Sequence, residues 1–165
     1  YLDTEKFTTN AQIAKIGEYF ADCIRENNIK FDVIMGLAYH GAALSTATAC
    51  ALFQKYGVTA DYCIARKTPD NKGRMVCGHS LKDGDNVIII DDLMSTGLTL
   101  CERIDRLKEL ADINIAAVIV IADLTNDEAI ENGWGSQMIN QRYGSKVYSI
   151  ITENDIMTVK GNRNL

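Results

Sequence analysis

Two adjacent carboxylates, Asp91 and Asp92, follow a run of four β-branched apolar residues, and a loop rich in hydroxyl groups comes after them. The apolar run is typical of a strand that is buried on both faces. The loop, residues 95–97, offers backbone N–H groups and leads into a periodic helix, which suits a phosphate. Carboxylates repel a phosphate and suit sugar hydroxyls or a hydrated metal ion. The stretch 87–99 therefore indicates a ligand with both a phosphate and a polyol.

The position of this stretch supports a functional interpretation. Open α/β sheets bind ligands at the carboxyl ends of parallel strands, and Gly97 permits close backbone approach. The Asp pair alone is equally well explained as structural or helix-capping, and similar pairs occur in response regulators and phosphatases. The loop and the buried strand together favour function. The chain lacks GxxxxGK[ST] and GxGxxG patterns, which disfavours a P-loop or dinucleotide-binding fold.

The rest of the chain alternates predicted strands with predicted helices, which indicates an α/β fold with a central, mostly parallel sheet flanked by helices. The longest irregular segment, residues 67–85, contains the only proline, and we expect part of it to be a mobile loop, with residues 68–78 as a candidate lid. The predicted helices are 10–27, 42–55, 97–111 and 127–143, with an irregularity near Asn132 and Gly133, and the predicted strands are 31–36, 60–66, 87–90, 115–121 and 146–151.

Composition limits the class of protein. The length of 165 residues predicts one domain, 1–165, and the start at Tyr1 rather than Met leads us to expect a missing N-terminal segment. A net charge of −5 disfavours a general nucleic-acid binder. The five cysteines form no CxxC pair, which favours reduced, buried thiols in the cytoplasm. No apolar run approaches the ~20 residues that span a bilayer, so no membrane association is expected.

These motifs resemble those of a known family. The stretch 87–99 looks like the phosphoribosyl pyrophosphate (PRPP) motif of the type I phosphoribosyltransferases, in which an apolar strand, two acidic residues and a hydroxyl- and glycine-rich loop follow one another. Within that superfamily the chain is most similar to the orotate phosphoribosyltransferases. The segments that carry this second resemblance are YLD (1–3), FDVIMGLAYHG (31–41), ARKTPDNKG (65–73) and KVYSIITENDI (146–156).

The resemblance implies a type I phosphoribosyltransferase fold and a PRPP site. The two carboxylates would hold the ribose 2- and 3-hydroxyls, and the loop after them would cradle the 5-phosphate. Tyr39 and His40 would lie beside the pyrophosphate, and Arg66 and Lys67 would reach it from the partner in a homodimer. The implied PRPP-binding residues are Tyr39, His40, Arg66, Lys67, Asp91, Asp92, Leu93, Met94, Ser95, Thr96, Gly97, Leu98 and Thr99.

The implied reaction joins a nucleobase to PRPP, with orotate as the leading base, and gives orotidine 5-monophosphate and pyrophosphate. Mg²⁺ would be coordinated by the pyrophosphate, with no direct protein ligand. Displacement of pyrophosphate develops positive charge on the sugar and negative charge on the leaving group, so carboxylates and cations at those places suit the transition state. The implied catalytic residues are Asp91, Asp92 and Lys72, and the implied base-binding residues are Leu2, Asp3, Ser95 and Leu124.

Several positions depart from the family pattern. His40 replaces a lysine, and Asp70 and Lys72 replace a lysine and a histidine of the family's mobile loop. Leu124 stands where the family has the arginine that binds the orotate carboxylate, and a further family lysine would precede Tyr1. PRPP binding is therefore expected, while these positions do not determine which base is accepted. The alternatives are a phosphoribosyltransferase of the same fold for another base, and a non-catalytic regulator that senses PRPP or a nucleotide.

Overall fold

The structure is a computed structural model and describes residues 6–152 and residue 155. Within them, six strands form one sheet in the order β3-β2-β1-β4-β5-β6, and only β3 is antiparallel to its neighbour. The predicted α/β class is confirmed. The elements in chain order are α1 (Asn10–Glu26), β1 (Val33–Leu37), α2 (His40–Tyr56), β2 (Asp61–Ala65), β3 (Val76–Gly78), β4 (Asn86–Met94), α3 (Leu98–Lys108), β5 (Asn114–Asp123), α4 (Asp127–Glu131), α5 (Ser136–Tyr143) and β6 (Val147–Thr152).

The central strand β4 is buried on both faces, as its apolar run predicts. Val87 and Ile89 belong to the core on one face of the sheet, which α3 and α5 complete. Ile88 and Ile90 belong to the core on the other face, which α1 and α2 complete. Because side chains alternate along a strand, an uninterrupted β-branched run supplies both cores at once.

The helices α1 and α2 cover one face of the sheet. Thr9 caps α1 in a capping box with Gln12, which satisfies N–H groups at the helix start. The two helices pack at close range, since a Cβ on Gly17 would lie 2.6 Å from the backbone of Ala47. The amphipathic face of α1 then buries Phe20 and its neighbours against the sheet.

Part of the predicted mobile loop is a β-hairpin. Residues 76–78 form β3, which pairs antiparallel with β2, so the sequence-based assignment of 67–85 as wholly irregular is wrong. A three-residue edge strand is too short to show an apolar pattern. The strand β4 also extends to Met94 rather than ending before Asp91, because Asp91 and Met94 still pair with β5.

The predicted helix over residues 127–143 is divided into α4 and α5. Asn126 caps α4, which ends before Asn132. Gly133 and Gly135 both have positive φ, a backbone conformation that breaks a helix. The irregularity expected near Asn132 and Gly133 is confirmed as a complete interruption.

The five cysteines are free thiols, as the sequence predicts. Cys63 and Cys101 are buried, but Cys50 and Cys77 are exposed, so the expectation of generally buried thiols is only partly correct. Among the residues that the structure describes, no helix combines the length and apolar character that a bilayer crossing requires.

Candidate functional site

The loop after β1 lies directly against the end of β4 because two glycines permit it. A Cβ on Gly36 would lie 2.2 Å from Ser45 Oγ, and a Cβ on Gly41 would lie 2.4 Å from the carbonyl oxygen of Ile90. No side chain fits at either position without a backbone shift. The loop between them, which includes a cis peptide bond between Ala38 and Tyr39, is thereby held beside the carboxyl end of β4.

Each of the two adjacent carboxylates contacts a different basic side chain. Arg103 Nη1, on α3, donates a hydrogen bond of 3.2 Å to Asp91 Oδ2. His40 Nδ1, at the start of α2, lies 2.8 Å from Asp92 Oδ2. The side chain of Asp91 is only 13% exposed. Burial, together with the neighbouring charge of Asp92 and against the opposing charge of Arg103, raises the pKa of Asp91 to about 7.

A cavity of about 250 Å³ begins at these carboxylates and extends along the following loop; we name it the β4–α3 cavity. Its lining contains most of the residues that the sequence predicts to bind PRPP. Gly97 has φ +76 and stands at the N-terminus of α3, so it turns the loop into the helix. Helix N-termini of this kind bind phosphate. The lining residues are Asp91, Asp92, Leu93, Met94, Ser95, Thr96, Gly97, Thr99, Leu100 and Arg103.

The loop of the β4–α3 cavity is fixed by hydrogen bonds from neighbouring segments. Thr125 Oγ1 donates to the carbonyl oxygen of Ser95 at 2.8 Å, and the Gly135 N–H donates to that of Thr96 at 2.8 Å. The Leu124 N–H donates to the carbonyl oxygen of Met94 at 2.7 Å. The interruption between α4 and α5 therefore has a structural use, since it presents Gly135 to the loop.

The two cations at the end of β2 lie in a neighbouring cavity. Arg66 and Lys67 line a space of about 320 Å³ between the ends of β1 and β2 and one face of α3, which we name the β2–α3 cavity. Thr99 and Arg103 border both cavities. Lys67 Nζ also lies 4.3 Å from the centre of the exposed Tyr39 ring. Tyr39 and Lys67 thus contact each other at the mouth of the site.

The tip of the β2–β3 hairpin is organised by Asp70. Its Oδ1 accepts hydrogen bonds of 2.9 Å from the N–H groups of Lys72 and Arg74, and its Oδ2 accepts one of 2.8 Å from Arg74 Nε. These bonds, the N–H of Arg74 foremost, lower the pKa of Asp70 to about 2. Lys72 is exposed at this tip. Asp70 is therefore a turn residue, and the candidate lid includes the tip of the β2–β3 hairpin.

The predicted base-binding residues divide into two groups. Leu2 and Asp3 lie outside the described residues, while Ser95 lines the β4–α3 cavity and Leu124 follows β5 next to it. A third cavity, about 260 Å³ and mainly apolar, borders Asp92 from the α1–α2 side, and we name it the Phe7 cavity. Its lining is Phe7, Ile13, His40, Ala43, Leu44, Asp92 and Ile121.

Arg103 is the site residue that sequence reasoning missed. Thr99, Arg103 and Arg106 are spaced at three and four residues, which places them on one face of α3. The helix begins directly after the phosphate loop, so this face of α3 is directed toward Asp91. The spacing was therefore readable from the sequence, although the contact itself depends on how α3 packs.

The carboxylates suit a hard cation that is held mainly by other ligands. Asp91 and Asp92 supply oxygen ligands, which Mg²⁺ prefers. In residues 6–152 and 155, no cluster of three or more His, Cys, Asp or Glu side chains is placed to hold a metal ion. Such a donor set leaves most coordination positions of a Mg²⁺ ion to phosphates and water, so it suits an ion that a phosphorylated ligand carries.

A mostly parallel sheet, with paired carboxylates at the end of a central strand and a loop suited to phosphate after them, is the arrangement expected of a protein that binds a phosphorylated sugar. A family profile described as the phosphoribosyl transferase domain matches residues 4–141. The chain therefore belongs to the phosphoribosyltransferase family, and the resemblance found in the sequence is confirmed.

Individual relatives agree with this assignment. The chain is 30% identical to the orotate phosphoribosyltransferase of Clostridium beijerinckii over all of this chain and 75% of that protein. It superposes on the crystal structure of the Francisella tularensis orotate phosphoribosyltransferase with a TM-score of 0.80 and 25% identity, covering 98% of this chain and 77% of that one. The Mycobacterium tuberculosis orotate phosphoribosyltransferase, solved with PRPP, shares the fold with a TM-score of 0.71 and 20% identity, over 94% of this chain and 82% of that one.

Proposed function

We propose that this protein transfers the 5-phosphoribosyl group from PRPP to a nucleobase, with orotate as the leading acceptor, to give orotidine 5-monophosphate and pyrophosphate. The observation that carries the proposal is the β4–α3 cavity, where two carboxylates and a phosphate loop adjoin in one strand-to-helix connection. The similarity to orotate phosphoribosyltransferases along the whole chain supports the choice of base.

The roles of the cavity residues follow from their charges. The loop N–H groups of residues 95–99 would bind the 5-phosphate, where the α3 N-terminus favours negative charge. Asp91 and Asp92 would accept hydrogen bonds from the ribose hydroxyls, which fixes the sugar. The same carboxylates would stabilise the positive charge that develops on the sugar in the transition state. Arg103 would favour the ionised form of Asp91 that this task requires, against the burial that raises the pKa of Asp91 to about 7.

The pyrophosphate leaving group would be bound by residues on the other side of the ribose. Tyr39 and His40 lie on the loop that Gly36 and Gly41 hold against β4, so the pyrophosphate would rest beside His40. Mg²⁺ bound to the pyrophosphate would offset the negative charge that develops as the bond to the sugar breaks. Lys72, at the tip of the hairpin, is the proposed cation that closes over the leaving group and excludes water.

A homodimer would complete the site. Arg66 and Lys67 follow β2 at the base of the hairpin, and we propose that they reach the pyrophosphate of the twofold-related subunit. Such a shared site would make turnover depend on association of two chains.

Five free thiols are compatible with the reducing cytoplasm, which is where we propose that the protein works.

The base is proposed to lie next to Asp92, which borders both the Phe7 cavity and the β4–α3 cavity beside Leu124. The described lining of the Phe7 cavity contains no Lys or Arg, and Leu124 stands where an arginine would meet a carboxylate. A charge-assisted hydrogen bond of that kind contributes roughly 1.5–3 kcal/mol. This observation favours, as a second candidate, transfer to a base without a carboxylate.

Pyrophosphate release from PRPP and Mg²⁺ tests the proposal directly. The assay compares orotate with uracil, adenine, guanine and hypoxanthine under identical conditions, and PRPP binding is measured separately by calorimetry. Turnover with orotate supports the leading reaction, and turnover with another base alone supports the second candidate. PRPP binding without turnover on any base overturns both and leaves a regulator that senses PRPP.

A further inference from the structure

The loop of the β4–α3 cavity is held from outside through three consecutive carbonyl groups. The carbonyl oxygens of residues 94–96 accept hydrogen bonds of 2.7–2.8 Å from Leu124 N–H, Thr125 Oγ1 and Gly135 N–H, in that order. All three donors belong to the segment between β5 and α5, residues 124–135. One segment of the chain therefore determines how three successive peptide groups of the loop are oriented.

The N–H groups of the same peptides point the other way. The peptide bonds of residues 94–97 are trans, and in a planar trans peptide the C=O of one residue is antiparallel to the N–H of the next. The three bonded carbonyls thus fix the N–H groups of Ser95, Thr96 and Gly97. Among residues 6–152 and 155, no acceptor for any of these three N–H groups is found. A phosphate oxygen in the β4–α3 cavity suits such a set of donors.

Thr125 supplies the only side-chain donor of the three. Its side chain is half-buried, and Asp123 holds it in place. Asp123 Oδ1 accepts the Thr125 N–H at 3.0 Å and lies 2.5 Å from Thr125 Oγ1. The hydroxyl proton is therefore shared between this carboxylate and the carbonyl oxygen of Ser95. Because the other two donors are backbone N–H groups, Thr125 is the donor that a substitution can remove.

Gly135 allows Thr125 to approach the loop. A Cβ on Gly135 would lie 2.5 Å from both Oγ1 and Cγ2 of Thr125. A Cβ on Gly97 would lie 3.4 Å from the carbonyl oxygen of Gly135, so the loop packs directly on this residue. A side chain at residue 135 would push Thr125 away from Ser95. The interruption between α4 and α5 thus makes room for the Thr125 contact as well as supplying the Gly135 N–H.

We propose that Thr125 is a positioning residue for the 5-phosphate, because its bond to the carbonyl oxygen of Ser95 keeps the loop N–H groups directed at that ligand. This inference rests on the proposed function and adds to it a residue that lies 30 positions from Ser95 in the chain. Donors that are oriented before the ligand arrives bind it more tightly, since no ordering cost is incurred on binding. A hydrogen bond to the carbonyl also polarises the peptide, which strengthens the next N–H as a donor.

Calorimetric titration of the full chain with ribose 5-phosphate tests this role. Thr125→Val keeps a side chain of similar shape and removes the hydroxyl, and we expect it to bind about three- to tenfold more weakly, the scale of one hydrogen bond. Thr125→Ser restores the hydroxyl and should bind as the unmodified chain does. Thr59→Val makes the same change at an exposed threonine just before β2 and should leave the affinity unchanged.

Spectra of the ligand-free chain give a second readout. In ¹⁵N–¹H spectra the Thr96 N–H signal, which belongs to the peptide that Thr125 holds, should move in Thr125→Val and stay in place in Thr59→Val. Unchanged affinity for ribose 5-phosphate in Thr125→Val overturns the proposal. A loss of affinity that Thr125→Ser does not restore also overturns it, because the hydroxyl is then not the cause.

The titration uses no nucleobase, so its outcome is separate from that of the proposed reaction. Absence of turnover with every base would refute the reaction, while the comparison of Thr125→Val with Thr125→Ser would still decide the positioning role. Failure of the unmodified chain to bind ribose 5-phosphate would overturn the positioning role itself.

Discussion

His40 Nδ1 lies 2.8 Å from Asp92 Oδ2, which joins the loop after β1 to the second carboxylate of β4. The two residues are 52 positions apart, and the parallel pairing of β1 with β4 brings them together. The lysine of the family pattern would place an ammonium group at this position instead of an imidazole. The contact therefore joins the proposed pyrophosphate-binding loop to a carboxylate of the proposed ribose site.

His40→Lys should strengthen the contact with the pyrophosphate. We expect this variant to have a kcat/KM for PRPP up to about tenfold higher than that of the unmodified chain, because an ammonium group forms a charge-assisted contact with a phosphate oxygen. The measurement is kcat/KM for PRPP at one fixed pH. His40→Gln keeps a hydrogen-bonding group without charge and should have a lower kcat/KM than the Lys variant. Equal kcat/KM values for all three proteins would exclude this role of residue 40.

Asp91→Asn combined with Asp92→Asn should weaken PRPP binding and nearly abolish turnover. The amides cannot stabilise positive charge on the sugar, and preorganised electrostatic groups of this kind contribute about 10²–10³ in rate. Calorimetry with PRPP and an assay of pyrophosphate release measure the two effects. Asp127→Asn with Glu128→Gln, on the first turn of α4, removes the same charge as a control. Undiminished binding and turnover would show that the ribose lies elsewhere.

Asp91 should also make stability depend on pH. Its pKa of about 7 in the folded protein lies above the ordinary value of about 4, so the folded state binds this proton more tightly. The stabilisation is complete below about pH 4 and is lost as pH rises through 7. Asp91→Asn should therefore gain about 1–3 kcal/mol relative to the unmodified chain between pH 5 and pH 8.

Urea unfolding of both proteins at pH 5, 6, 7 and 8 provides that comparison, because the difference between them cancels the other titrating groups. Arg103→Ala supplies a second check, since loss of the nearby cation should raise the pKa of Asp91 further. A difference in unfolding free energy that stays constant with pH would mean that Asp91 titrates normally.

Local sequence was enough to predict the centre of this site but not its surroundings. The β-branched run before Asp91 and the loop up to Gly97 are contiguous, so their strand, turn and helix follow from short-range rules. The contact of Arg103 with Asp91 depends on how α3 packs. The hairpin at Asp70 depends on a three-residue pairing of β3 with β2, which carries no periodic pattern of its own.

Lys72→Ala should lower turnover more than it lowers PRPP affinity. Lys72 is exposed at the hairpin tip, whose backbone is held by Asp70, so the substitution removes the cation without disturbing the turn. If the tip closes over the leaving group, the charge is needed chiefly in the transition state, and kcat falls about tenfold or more while the dissociation constant changes little. Lys82→Ala, another exposed lysine, is the matched control. Equal losses in affinity and turnover would place Lys72 in ground-state binding instead.

Leu124→Arg should improve the use of orotate. Leu124 directly follows β5, and its N–H is bonded to the carbonyl oxygen of Met94, so its backbone is fixed beside the β4–α3 cavity. An arginine there can meet the orotate carboxylate in a bidentate manner, which corresponds to a fall of about tenfold in KM. Leu124→Met keeps the apolar character and should leave the KM of orotate unchanged. The KM of uracil, which has no carboxylate, should be unchanged in either variant. If Leu124→Arg leaves the KM of orotate unchanged, the carboxylate is met by a group elsewhere in the chain or its partner.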